Sequence, residues 1–302
     1  MTAAIDIRGE RPGDEDAIEA VVTSAFQRKE EANIVTLMRT CHPTFDPRFS
    51  VTAWAGEELV GHTLFTPARI RLMGQTLPAL AVAPVATAPD WQRQGIGGRM
   101  LAFGHDLGRR EGFALTFLCG HPDYYPRFGY KACHGFGKID IDAEKLPQPS
   151  VEFRRLPATA ADVPWLLERW AAEWNDVDFG WLRGDDLREW TAPYINTLMW
   201  WTRDGRRAAY TIGKRLLLAD DPDLARQVLF TLRPAKLEHH PAGWLARNAI
   251  DTEWAKAAVA PSTAAMACEL REGVLDDYLR AVEAGDRLTG FTPWPLPILA
   301  SC

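Results

Sequence analysis

The sequence predicts a mixed α/β fold, laid out twice along the chain. Three observations carry that reading. Apolar residues alternate in some short stretches and recur at helical spacing in others, so strands and helices are interleaved. The stretch Lys145-Leu-Pro-Gln-Pro-Ser150 carries two prolines and divides the chain near its middle. Both sides of it open the same way, with a strand, a helix and a hairpin, which suggests a diverged internal duplication. The expected units are residues 1–146, a linker at 147–150, and residues 151–302.

The elements follow in order. Ile5 to Arg8 alternates as a strand does, and Gly13-Asp-Glu-Asp16 then supplies capping residues. Ile18, Val21, Val22 and Phe26 lie on one helix face, and Ile34, Leu37 and Met38 mark a second helix. Val51 to Trp54 and Leu59 to Phe65 are strands around the turn Gly56-Glu-Glu58. Ile70 to Leu72 and Leu77 to Thr87 continue in strand-like runs. Gly97 to Arg110 is helical through Met100, Leu101, Phe103 and Leu107. Phe113 to Leu118 is a short apolar strand, Pro122 to Phe128 a short helix, and Tyr130 onward a strand again.

In the second half, Val151 to Leu156 is a strand, and Thr159 to Asp162 opens a helix with Val163, Leu166, Leu167 and Trp170. Leu198 to Thr202 and Arg207 to Ile212 flank the turn Asp204-Gly205, a hairpin signal. Val228 to Leu232 reads as an apolar strand, Gly243 to Ile250 as a helix, Ala264 to Leu270 as a strand and Leu275 to Ala284 as a helix.

Composition narrows the function classes. The 302 residues are 47% hydrophobic and 25% charged, which excludes a disordered chain, a collagen and a coiled-coil rod. No run approaches the roughly 18 apolar residues a membrane helix needs; the best, Leu77 to Pro89, is short and contains Pro84. The first residues carry no basic and apolar leader pattern. A net charge of −6 argues against a nucleic-acid partner, because phosphate contacts need a basic face. Five cysteines (41, 119, 133, 268 and 302) stand far apart, which points to reduced thiols in the cytoplasm. No cluster has metal-ligand spacing, and His239-His240 lacks a nearby acidic or cysteine partner, so no metal is expected. Ten of the twelve tryptophans follow residue 150. They serve either core packing or, with Asp176, Asp178, Asp185 and Asp186, a wall for a cationic amine.

The informative segment is Val85-Ala-Thr-Ala-Pro-Asp-Trp-Gln-Arg-Gln-Gly-Ile-Gly-Gly98. A strand ends there, two glycines follow, and an amphipathic helix begins. Unpaired N–H groups at a helix start, aided by the helix dipole, attract anions. Glycines let the backbone approach a phosphate closely. Arg93 and Arg99 are candidates for charge-assisted contacts. A dinucleotide fingerprint fails because position 100 is Met, and no P-loop string exists. What remains is Q-x-x-G-x-G at Gln92, Gly95 and Gly97.

That string, at a strand-to-helix junction, resembles the acetyl-CoA motif of the GNAT superfamily of N-acetyltransferases. His121-Pro-Asp-Tyr-Tyr-Pro-Arg-Phe-Gly-Tyr130 resembles the family's later aromatic element. Phe26-Gln-Arg and Asn33-Ile-Val look like the first-helix region of one bacterial subgroup. The resemblance covers residues 4 to 145. It implies a GNAT acyl-CoA N-acyltransferase fold, with the pantetheine arm between two splayed strands. Val85, Ala86 and Thr87 would then pair with that arm. Gln92, Arg93, Gln94, Gly95, Ile96, Gly97 and Gly98 would hold the pyrophosphate of acetyl-CoA. Tyr125 matches the tyrosine used as general acid, with Tyr124 as the alternative. For the base, Glu30 and Glu31 are candidates.

The second half contains no Q-x-x-G-x-G; at the equivalent place, 220–227, stand acids and Pro222 but no glycine. Residues 151–302 therefore look like a degenerate copy. The plan is distantly similar to acetyltransferases of the enhanced-intracellular-survival type, whose third domain is expected to be missing or much reduced in this shorter chain. The implied activity is acetyl transfer from acetyl-CoA to a small-molecule amine in a ternary complex. A non-catalytic acyl-CoA sensor, another acyl donor and a protein amine acceptor remain open alternatives. Neither the acceptor nor the oligomeric state is readable.

Overall fold

The computed structural model describes residues 4–132, 135–174, 177–190, 198–212, 216–238, 244–261 and 264–284. Cys133, Asp176, His239, His240, Trp294 and Cys302 lie outside the described residues.

The chain starts with β1 (Ile5–Gly9), α1 (Glu15–Phe26) and α2 (Glu30–Cys41). A meander follows: β2 (Ser50–Ala55), β3 (Glu58–Leu72) and β4 (Gln75–Thr87). Next come α3 (Ile96–Arg110), β5 (Leu115–Cys119), a 3-10 turn at Tyr125–Phe128, β6 (Lys131–Ala132) and β7 (Gly135–Ile141). The later half holds β8 (Arg154–Pro157), α4 (Val163–Trp174), β9 (Phe179–Leu182), β10 (Leu198–Arg203), β11 (Arg206–Ile212), β12 (Leu216–Ala219) and α5 (Pro222–Leu232). It closes with β13 (Lys236–Glu238), α6 (Trp244–Arg247), β14 (Ala255–Pro261), β15 (Ala265–Glu269) and α7 (Asp276–Ala284). The fold is mixed α/β, as expected.

The first sheet has the order β1-β2-β3-β4-β5-β15-β6, with β9 added to the far end of β3. Because strand side chains alternate between faces, the sheet presents two apolar surfaces. Leu64, Ala79, Ala81, Leu115 and Phe117 pack on one face against Ile34, Leu37 and Met38 of α2. Val51, Phe65, Leu80, Val82 and Leu118 pack on the other against Ile96, Met100 and Leu101 of α3.

The second sheet repeats this order. β12-β11-β10-β8 matches β4-β3-β2-β1, and each series is followed by a helix, α5 or α3. A third, three-stranded sheet has the order β13-β7-β14. The strands therefore do not part at 147–150. β7 leaves the first half and lies between β13 and β14, while β15 lies between β5 and β6. Each half thus completes the other's sheet. Ala265, Met266, Ala267 and Cys268 are at most 5% exposed in that position.

One element differs from expectation. Val228 to Leu232 is not a strand but the last part of α5. The Asp221 side chain caps that helix at the Leu224 N–H (2.8 Å), and Pro222 opens its first turn. Leu224, Ala225, Val228 and Leu229 then fall at helical spacing and are buried. Seen alone, the final five residues have no period to distinguish strand from helix. Most described tryptophans are packing residues. Trp170, Trp174 and Trp190 form one cluster with Tyr210, and Trp181 contacts Phe117 edge-on at 5.2 Å.

Three buried histidines tie the fold to pH. His62 has its pKa pushed down to about 3 by burial and by Arg39. Burial, then Arg183, lowers His42 to about 4, and burial, then Arg109, lowers His105 to about 4. His62 Nε2 meets Ser50 Oγ at 2.9 Å, and that hydroxyl donates to Glu10 at 2.5 Å. His105 Nε2 meets Tyr130 Oη at 3.0 Å. In the unfolded chain these rings take up protons below about pH 6.5; in the folded chain they stay neutral down to about 4. Stability is therefore expected to fall as pH drops through that window. Each ring contributes a slope of up to about 1.4 kcal/mol per pH unit. Urea midpoints at pH 7, 5.5 and 4.5 check this; equal midpoints would contradict it.

Candidate active site

β4 and β5 pair in parallel at Ala79–Leu115, Leu80–Thr116 and Ala81–Phe117 only. Beyond this, β4 runs on to Thr87 beside β3, while β5 follows β15. The two strands diverge from a vertex between Ala81 and Phe117. In that stretch Ala83 and Pro84 stand opposite the single Leu64 of β3. This is a bulge, the place where a sheet tolerates a proline without an N–H.

Past Thr87 the chain makes a short turn at Pro89–Trp91 and enters α3. The loop is held by its own side chains: Gln92 Nε2 donates to Thr87 O at 3.2 Å, and Gln94 Nε2 to Asp90 O at 3.2 Å. Gly95 is the N-cap, with φ of +80°, a conformation costly for a residue with a Cβ. No side chain caps α3. Its first-turn N–H groups therefore have no intrahelical partners and face outward. Gly97 and Gly98 serve close packing: a Cβ on Gly97 would collide with Tyr124 Oη, and one on Gly98 would stand 2.5 Å from the Phe128 ring.

A cavity of about 760 Å³ opens over this helix start. Of the sequence-predicted residues, Val85, Thr87, Gln92, Arg93, Gly95, Ile96, Gly97, Gly98 and Tyr125 line it. Ala86 instead faces α1, in a cluster with Ile18, Val21 and Val22, and Gln94 lies outside the lining. Arg99 is turned away and donates to Ile5 O at 2.8 Å. Glu30 is exposed and Glu31 is paired with Arg28; neither lines the cavity. Motif reading did not single out Trp91, His121, Arg127 and Phe128, which also line it. They flank the two motifs, and only the folding of the 121–128 turn over α3 brings them in. His121, Arg93 and Arg127 put cationic or protonatable groups around the amides, which suits an anion.

Tyr125 lies against the end of β5, where a Cβ on Gly120 would collide with its ring. Its ring meets Tyr124 at 5.1 Å and Tyr130 at 5.7 Å. Tyr130 is anchored below by Thr116, whose hydroxyl donates to Tyr130 Oη at 2.8 Å.

Known proteins resemble this chain in sequence and in fold. The family description "Acetyltransferase (GNAT) domain" matches residues 6–133. The chain is 34% identical over 122 residues to the uncharacterized N-acetyltransferase YjhQ of Escherichia coli K12, covering 40% of this chain and 67% of that protein. The chain belongs to the GNAT superfamily of acetyltransferases. It is an acyltransferase.

The likeness of fold reaches beyond this first domain. A probable N-acyltransferase from Enterococcus faecalis V583 aligns with a TM-score of 0.68 at 14% identity, over 90% of this chain and 74% of its own. Eis1 from Mycobacterium abscessus aligns with a TM-score of 0.60 at 14% identity, over 88% and 74%. The helix that follows the second sheet, α5, starts differently from α3 in this GNAT protein: the Asp221 carboxylate accepts from the Leu224 N–H on its first turn. Among the described residues no His, Cys, Asp and Glu cluster suited to a metal occurs, and no helix is long and apolar enough to cross a membrane.

Proposed function

We propose that this protein transfers an acetyl group from acetyl-CoA to the amine of a small molecule. The observation that carries the reading is the convergence of three features on one cavity: the end of β4 where it has diverged from β5, the uncapped start of α3, and Tyr125. The residues fit the cofactor. The amides of residues 96–98, with Arg93 and Arg127 nearby, suit a pyrophosphate. The edge of β4 that faces away from β3 offers the Val85 backbone and the Thr87 N–H to the pantetheine amides; the Ala86 main chain is turned to His62 of β3, and Thr87 O already accepts from Gln92.

In the reaction an amine attacks the thioester carbonyl directly, with both substrates bound. Backbone N–H groups on the splayed edge of β4 stabilise the developing oxyanion. Tyr125 is the general acid. A phenol, with a reference pKa of about 10, can supply a proton to a leaving thiolate whose reference value is about 8.5. The expected result for Tyr125→Phe is a turnover lower by about 100-fold, with acetyl-CoA affinity within about twofold of the unmodified protein. Thiol release in a panel of small amines, beside calorimetric titration of acetyl-CoA, checks both halves. Binding without turnover for any amine or peptide would favour an acyl-CoA sensor instead. Turnover on peptides alone would reassign the acceptor to a protein amine.

Residues 151 onward are read as a degenerate copy of the domain, without an acyl-CoA site of their own. The matching strand order and the Asp221 carboxylate on α5 support this.

A further inference from the structure

Two tyrosines stand side by side in the cavity, and the geometry separates their roles. We propose that Tyr124 is a binding residue whose hydroxyl donates a hydrogen bond to the pyrophosphate end of the acyl-CoA, while Tyr125 serves the thioester. The proposal rests on the acyl-CoA reading above.

The hydroxyl of Tyr124 lies directly over the first turn of α3. A Cβ built on Gly97 would collide with it and would be 3.8 Å from Thr87 Oγ1. It thus stands between the end of β4 and the first turn of the helix, at the cavity lining. Its ring is fixed by Tyr125 at 5.1 Å, by Phe128 at 5.1 Å and by the Arg127 guanidinium at 5.8 Å. Yet the hydroxyl itself makes no hydrogen bond among the described residues. Two neighbouring side chains are engaged elsewhere: Gln92 holds Thr87 O, and Arg127 Nε donates to Asp123 O at 3.0 Å. Burial raises the Tyr124 pKa, against the opposing pull of Arg127. The group is therefore a protonated donor at neutral pH. A donor held rigid beside two or three free amides matches an oxygen-rich anion. It does not match the thioester sulfur, which in this reading lies farther along the splay, toward the vertex. Rigid placement also avoids the cost of ordering the side chain on binding.

The position explains why residue 97 is glycine. The space above its Cα is taken by the Tyr124 hydroxyl, so the glycine seats a donor there as well as permitting approach of the ligand.

The test is calorimetric titration of acetyl-CoA and of CoA into the unmodified protein, Tyr124→Phe, Tyr124→Ala and Gly97→Ala. Loss of a hydrogen bond to a charged group is expected to weaken binding of Tyr124→Phe about tenfold or more. The loss should be equal for acetyl-CoA and CoA, because both carry the same pyrophosphate. Gly97→Ala, whose methyl pushes the hydroxyl aside, should show a similar equal loss. Unchanged affinity in Tyr124→Phe beside a large loss in Tyr124→Ala would mean that only the ring matters, and would overturn the proposal. A loss confined to acetyl-CoA would place the hydroxyl at the thioester and overturn it too. Failure of the unmodified protein to bind either ligand would instead remove the acyl-CoA reading itself.

Discussion

Gly97→Glu is expected to abolish acyl-CoA binding, with affinity reduced more than 100-fold and a melting temperature changed by only a few degrees. Two effects act together. The new Cβ drives Tyr124 out of its place over α3. The carboxylate then lies on the first turn of a helix that has no side-chain cap, and takes the amides that would hold phosphate. That position favours an acid by about 0.3–1 kcal/mol through the helix dipole. The fold therefore recovers part of the packing cost of moving Tyr124, a half-buried side chain at the rim of the cavity. The ligand recovers nothing, because like charges now meet where it must dock. Asp221, the N-cap of α5, already shows a carboxylate accepting from a first-turn amide in this chain. Titration of acetyl-CoA with a parallel thermal melt checks the two readouts. Near-normal binding by a folded Gly97→Glu protein would show that the α3 start is not the phosphate site.

The second large effect concerns the expected boundary at 147–150. A fragment of residues 1–146 is expected not to fold. It lacks β15, which lies between β5 and β6 and pairs with β5 along its whole length. It also lacks β9 and α7, which cover the face of the sheet around Phe117 with Trp181, Leu275 and Tyr278. Met266, Leu275 and Tyr278 are each no more than 1% exposed. Burial of such side chains stabilises by about 1.5–3 kcal/mol each, so their loss alone is comparable with the whole stability of a domain, about 5–15 kcal/mol. The open edge of β5 would also be a template for aggregation. Expression of residues 151–302 in the same cell should rescue solubility, because each half holds the other's strand. A soluble, cooperatively melting fragment of residues 1–146 would sink this expectation.

The acyl-CoA segment was legible in the sequence because its requirements are local. A strand must end, a glycine must adopt positive φ at residue 95, and a helix must begin without a cap; all of this is written in fourteen consecutive residues. Tyr124 and Tyr125 were legible as a pair of neighbours, but their different places in the fold were not. Which ring packs on Gly97 and which on Gly120 depends on how the 121–128 turn closes over α3. Gln92 and Gln94 show the reverse: both lie in the motif, yet their side chains brace the loop from within.

By itself the sequence determined the alternation of strands and helices in the first half, the glycine-opened helix start after β4 and the absence of such a string from the second half. These follow from periodicity, glycine and capping chemistry, which act over a few residues. Only the tertiary structure decided that Val228 to Leu232 completes a helix, that Arg99 faces away from the cavity, and that the halves exchange β7 and β15. The physical reason is that a short apolar strand such as Ala265–Glu269 fits any buried sheet position equally well. Its partner is chosen by the packing of Phe117, Leu118 and Tyr130 around it, a contact between segments more than a hundred residues apart that no local pattern encodes.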